Sequence, residues 1–156
     1  MSEYRFEKER VQGTLMLAPG TSISGSFFVA GHSSVRQGRE RVGDLLNSQA
    51  GFFPFELRDG STVLYNRAHV VAVVLELPIS EAAQDSGYEV ATQRHVDVVL
   101  STGMHMRGMV AVYSPPGHQR LSDYARSPEA FRYLVTQKNT LIINVAHIVE
   151  LTELAD

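Results

Sequence analysis

One short pattern occurs twice in this chain of 156 residues. Arg41-Val42-Gly43-Asp44-Leu45, followed by Asn66-Arg67-Ala68-His69-Val70-Val71, returns as Arg120-Leu121-Ser122-Asp123-Tyr124, followed by Asn144-Val145-Ala146-His147-Ile148-Val149. Gly20 to Gly103 and Gly25 to Gly108 are offset by 83. Asp44 to Asp123 is offset by 79, and Phe53 to Phe131, Asn66 to Asn144 and His69 to His147 by 78. A duplicated fold predicts an offset that changes only inside loops, where insertions are tolerated. The chain accordingly divides into a first repeat over 10–75, an acidic linker over 76–92 and a second repeat over 93–152.

Within each repeat the hydrophobic period is that of strands. Leu15 and Leu17 alternate with Thr14, Met16 and Ala18, and Pro19-Gly20-Thr21 turns the chain into a second strand over 23–30. Gly25 lies inside that strand and predicts a bend. After a polar loop, Val42, Leu45 and Leu46 stand at i, i+3 and i+4, the spacing of a short helix. Phe53, Phe55 and Leu57 alternate as a third strand, Asp59-Gly60 is a hairpin signal, and 62–75 reads as two strands bent around Asn66-Arg67-Ala68. The linker has four acidic residues and no basic one, with a helical turn expected at 80–84. The second repeat follows the same course. Ser127-Pro128-Glu129 adds the signature of a further helical turn.

Five short strands with a curling glycine and an inserted helix describe a small barrel. Leu17-x-x-Gly20-x-x-Ile23-x-Gly25 and Leu100-x-x-Gly103-x-x-Met106-x-Gly108 resemble the first two strands of Sm-like barrels. The Arg-Leu-Ser-Asp helix start with the later Asn-x-Ala-His is similar to an uncharacterised bacterial domain family, present here in tandem. That resemblance implies a fold and a cytoplasmic bacterial setting, with no established activity. The Arg-Gly or Lys-Gly step of Sm closing hairpins is replaced by Asn-x-Ala-His. The expected fold is mostly β: tandem SH3-like or Sm-like barrels, packed as a pseudo-twofold pair. A repeat of this size buries only ~60% of its unfolded surface, so the two should pack together. Strand edges left open would pair between repeats or between chains, a homodimer among the outcomes.

Composition narrows the function. A formal net charge of -3 disfavours a protein devoted to non-specific nucleic-acid binding. The absence of cysteine removes disulfides, thiolate metal sites and thiol nucleophiles. The charged N-terminal stretch has no apolar core of the signal-peptide kind, and no apolar run reaches membrane-spanning length. The basic residues are 12 Arg and 2 Lys, a bias that fits a GC-rich source. Walker, Gly-x-Gly-x-x-Gly, Gly-x-Ser-x-Gly and His-Glu-x-x-His motifs are all missing.

The repeated polar residues are the candidate sites. Arg41 with Asp44, and Arg120 with Asp123, stand at i and i+3, where side chains on a helical turn meet as an ion pair. Asn66 and Asn144 suit a bend. His69 and His147, flanked by apolar residues, are expected in strands as hydrogen-bonded core residues. These eight read as fold-maintaining. A binding role falls on the loop residues His32, Arg36, Arg39 and His118, where arginines close in sequence to phenylalanines could stack on single-stranded nucleic acid. One histidine per repeat does not make a metal site, and neither metal nor cofactor is expected. A non-catalytic protein-interaction or scaffold module, bound to another protein through strand edges and the loop at 31–40, is the leading expectation. An Sm-like binder of single-stranded RNA is the second. The third is a small-molecule sensor or enzyme with a site between the repeats, lined by His69, His147, Asp44 and Asp123.

Overall fold

The computed structural model describes residues 8–31, 38–76, 81–85, 87–113, 121–125 and 128–155, the side chains of Ser122 and Asp123 excepted. The described chain is mostly β. The first half holds β1 (Lys8–Leu17), β2 (Thr21–Ala30), α1 (Val42–Asn47), β3 (Phe52–Leu57), β4 (Thr62–Asn66) and β5 (Val70–Leu75). The second holds β6 (Thr92–Leu100), β7 (His105–Val112), α2 (Leu121–Ala125), β8 (Phe131–Val135), β9 (Thr140–Asn144) and β10 (Ile148–Glu153). Single 3-10 turns at Arg67–His69 and Val145–His147 link the last two strands of each half. No described helix is long and apolar enough to cross a membrane.

All ten strands belong to one antiparallel sheet of order β10-β6-β7-β8-β9-β5-β1-β2-β3-β4. The order within each half is the same, with the fifth strand beside the first and the fourth at the far side. Among the described residues the sheet does not close, and β4 and β10 are its free edges. The halves meet where β5 pairs with β9, from Ala72 opposite Ile143 to Leu75 opposite Thr140. This joins the fifth strand of one half to the fourth of the other. The relation is head-to-tail rather than the expected twofold, which would pair like edges with each other.

Strand alternation sends successive side chains to opposite faces, and at this junction both faces are buried. Val73, Leu75 and Ile142 join a core with Leu15, Phe27 and Phe55. Ala72, Leu141 and Ile143 join a second core with Val96, Leu100 and Val110. The two cores thus lie on opposite sides of the β5–β9 pair.

Two details depart from the sequence reading. Phe131 pairs with Asn144, whereas Phe53 pairs with Tyr65 and Phe52 with Asn66. The counterpart of Phe131 is therefore Phe52, not Phe53. The β8–β9 hairpin is one residue shorter than the β3–β4 hairpin, which puts every β8 side chain on the other face relative to the aligned sequence. The second detail concerns the turn expected after Ser127. Ser127 lies outside the described residues, and 128–130 form no helix, the chain there running directly into β8.

The paired glycines mark close approaches. A Cβ at Gly25 would lie 2.2 Å from the carbonyl oxygen of Glu56, and one at Gly108 would lie 2.6 Å from that of Val135. Each glycine lets the next strand cross over the long strand without collision. Gly25→Ala is expected to lower stability by about 1–3 kcal/mol through overpacking against backbone that cannot retreat. Gly108→Ala should cost less. Urea unfolding measures both, and an unchanged midpoint for Gly25→Ala would refute the steric account.

Candidate functional site

Between α1, the segment at 81–90 and strands β7 and β8 lies a cleft of about 560 Å³ lined by Arg41, Asp44, Asp85, Tyr113, Tyr133 and others. It forms because α1 begins on an arginine. Arg41 cannot serve as an acceptor for the helix's free N–H groups, so the acceptors come from elsewhere. Asp44 Oδ2 accepts the Arg41 backbone N–H at 3.0 Å. Glu81, buried and far away in sequence, accepts from Val42 N at 2.9 Å and Gly43 N at 3.4 Å. The Tyr133 hydroxyl donates to the same carboxylate at 2.9 Å. Gly43 is required there, since a Cβ would lie 2.3 Å from the Tyr133 hydroxyl oxygen.

The Arg41 guanidinium closes the arrangement. It donates to Asp44 through Nε at 3.1 Å and Nη2 at 2.8 Å, and to the Glu81 carbonyl at 3.2 Å. It also pairs with Asp85 and stacks 5.3 Å from the Tyr133 ring. Burial pulls the Arg41 group down, but the bond to Asp44, then Tyr133 and Asp85, outweigh it and hold the guanidinium above its ordinary range. Burial, and then the charge of Glu81, push the Tyr133 hydroxyl well above the usual tyrosine range. Burial, then Asp85, which accepts its hydroxyl at 3.1 Å, do the same to Tyr113. Phenols and guanidinium so held exchange no proton near neutrality, and every group in the set is engaged by another. Among the described residues no three histidines, aspartates or glutamates converge to hold a metal.

The repeated residues fall in two places. Arg41 and Asp44 form this cluster. Asn66 and Asn144 head the 3-10 turns, each Oδ1 accepting the N–H two residues on, Ala68 or Ala146, at 3.0 Å. The histidines lie on these turns rather than within strands as expected, because the asparagine holds the chain in one helical turn before the last strand starts. His69 is exposed. His147 is half-buried, with Nε2 2.8 Å from the Ala68 carbonyl and Nδ1 2.8 Å from the Ser101 hydroxyl. A carbonyl can only accept, so Nε2 carries the proton and Nδ1 accepts from Ser101. Asn144 Nδ2 donates to the carbonyls of Arg67 at 3.3 Å and Val70 at 2.9 Å. Asn144 and His147 therefore tie the second half to the first. His69 and His147 do not line the cleft beside Asp44. Arg39 lies 3.5 Å from Glu9. His32, Arg36, His118 and Arg120 lie outside the described residues, as does the Asp123 side chain.

Glu81, Asp85 and Tyr133 were not legible as a unit. The acidic run reads as a solvated linker, and the one available signal was an arginine at the N-cap, which calls for an outside acceptor. Comparison with protein-family models, with curated proteins and with solved structures finds no match to this chain.

Glu81→Gln is expected to destabilise the fold by about 1–3 kcal/mol, because an amide NH₂ turned toward Val42, Gly43 or Tyr133 leaves a buried donor unsatisfied. Chemical denaturation at neutral pH checks this, and a wild-type midpoint would contradict it. The raised Tyr133 value sets an alkaline limit. Its neutral phenol stabilises the fold fully below the unfolded tyrosine value of about 10, and that contribution is lost as pH rises above it. Stability measured from pH ~9 to ~11.5 should fall, and less steeply in Tyr133→Phe. Parallel slopes would show that Tyr133 does not contribute.

Proposed function

We propose that this chain is a non-catalytic protein-interaction module. In this reading the halves are two small SH3-like barrels in tandem, and the open strand edges are the working surface. The carrying observation is that among the described residues the sheet ends on two strands with one open side each, β4 and β10, each with an exposed apolar side chain, Leu64 and Val149. An unpaired edge presents N–H and C=O groups ready to take up another strand, and an apolar neighbour adds side-chain specificity. The shared strand order, the two crossing glycines and the two asparagine-headed turns support the tandem-barrel reading. The cleft supports a non-catalytic role, since its charges hold α1, the segment after β5 and β8 together.

The test is affinity purification of the tagged full-length chain from its native host, alongside a variant carrying both Leu64→Lys and Glu153→Pro, one change on each edge strand. The wild-type chain is expected to retain stoichiometric protein, its own copies or another chain, and the variant to lose it. Material that absorbs at 260 nm and disappears with RNase would instead favour the RNA reading and overturn this one.

A further inference from the structure

The junction between the halves is half of a pattern whose other half is unfilled. Under the structural alignment, β9 corresponds to β4 and β10 to β5. Three positions that are buried at or beside the junction have exposed counterparts at or beside the free edges. Phe131 is 5% exposed and its counterpart Phe52 is 60%. Ile142 is 0% exposed and Leu64 is 61%. Val71 is 1% exposed and Val149 is 65%.

The polar groups follow the same rule. Asn144 and Asn66 head their turns in the same way, yet only Asn144 uses its Nδ2, across the junction to the carbonyls of Arg67 and Val70. Asn66 Nδ2 reaches no partner among the described residues. His147 bonds the Ala68 carbonyl across the junction, while His69 is exposed.

The backbone agrees. Bonds from Leu57 N to the Ser61 carbonyl and from Arg67 N to the Gly51 carbonyl, both 2.8 Å, bracket the β3–β4 ladder. Hydrogen-bonded pairs alternate along an antiparallel ladder. Thr62, Leu64 and Asn66 therefore point their N–H and C=O groups away from β3. The same alternation directs the backbone groups of Leu151 and Glu153 outward from β10, given the bond from Leu154 N to the His95 carbonyl.

We propose that a second copy of this chain completes the pattern, with β10 of one copy pairing antiparallel with β4 of the next, Leu151 opposite Leu64 and Glu153 opposite Thr62. This rests on the interaction-module reading and names its partner. Asn66 Nδ2 then donates to the carbonyls of Val145 and Ile148 of the neighbouring copy, and His69 to that of Ala146. The contact is head-to-tail, like the β5–β9 junction, so each added copy leaves one β4 and one β10 to be filled. Repetition closes a ring or runs on as a filament. The new contact is weaker than the internal one. Glu150 and Thr152 stand where Ala72 and Val74 stand inside the chain, and no covalent link holds the partners together. Assembly is therefore reversible and concentration-dependent.

Light scattering on the full-length chain from about 1 to 200 µM is the first arm. The wild-type mass is expected to rise above the 17.3 kDa of one chain. Leu64→Lys blocks one edge and Glu153→Pro the other, and each alone should remain single. Their equimolar mixture should give a species of two chains and no larger. Asn66→Asp, which keeps the Oδ1 acceptor for the Ala68 N–H and removes the Nδ2 donor, and His69→Ala, at an exposed side chain, should each weaken association about three- to tenfold with the circular dichroism unchanged. They keep the proposal testable if an edge variant fails to fold. Self-association that survives Leu64→Lys, or a mixture that stays single, overturns head-to-tail pairing. A wild-type chain that stays single yet binds a different protein through β4 overturns self-pairing and leaves the interaction module standing. A chain that stays single and retains no protein sinks both.

Discussion

The β5–β9 strand pair belongs to two cores at once, and the packing of both halves depends on it. Each strand is buried on both faces, which is why β9 reads Thr140-Leu141-Ile142-Ile143-Asn144 with no exposed member. A small half-sheet on its own leaves one strand edge and one apolar flank uncovered. Here the flank of the second half, carrying Phe131 and Ile142, seals the first core, and the flank of the first, carrying Val71 and Ala72, seals the second. Neither core is complete without residues from the other half. Asn144 and His147 fix the register from the side by bonding the turn that precedes β5.

A second fastening lies at the other end of β8. Glu81 follows the first half in sequence, yet it receives α1 of that half and Tyr133 of the second on one carboxylate. Arg41 faces it from the helix start, so three separated segments share one buried charge network. The arrangement resembles an active site in its composition, with a guanidinium, carboxylates and tyrosines around a cleft. Its hydrogen bonds join the Arg41, Asp44, Glu81, Asp85 and Tyr133 side chains to one another and to the start of α1.

Local features were legible in the sequence because local physics determines them. Val42, Leu45 and Leu46 at helical spacing gave α1, Asp59-Gly60 gave the β3–β4 hairpin, and Asn66-Arg67-Ala68 gave the bend before β5. Gly25 and Gly108 signalled a bend that the crossing strands explain. What was hidden depends on which surfaces meet. The offsets of 78 and 79 differ by one residue between Asn66 and Phe52, and that slip decides whether Phe131 faces its own core or its neighbour's. The role of Asn144 and His147 was hidden for the same reason. Their sequence surroundings match those of Asn66 and His69, and only the presence of a neighbouring turn distinguishes them. Glu81 could not be placed because nothing near it in sequence indicates the helix it receives.

The spacing of the shared strands along the chain also bears on synthesis. β5 ends at Leu75 and its partner β9 begins at Thr140, so 64 residues separate the completed edge from the strand that covers it. At translation rates of about 5–20 residues per second, the first half is exposed for roughly 3–13 s on the ribosome with Val71 and Ala72 uncovered. Short turns join β1 to β2 and β3 to β4, so these hairpins can pair early, while β3 must return to β2 across the segment that holds α1, and the β5–β9 junction closes late because its partners are the most distant in sequence of the sheet's strand pairs. The nascent chain thus presents the same kind of unpaired edge in passing that the finished chain keeps at β4 and β10. Polar residues guard one of those finished edges, Glu150, Thr152 and Glu153 on β10, whereas β5 has none, since its edge is open only during synthesis.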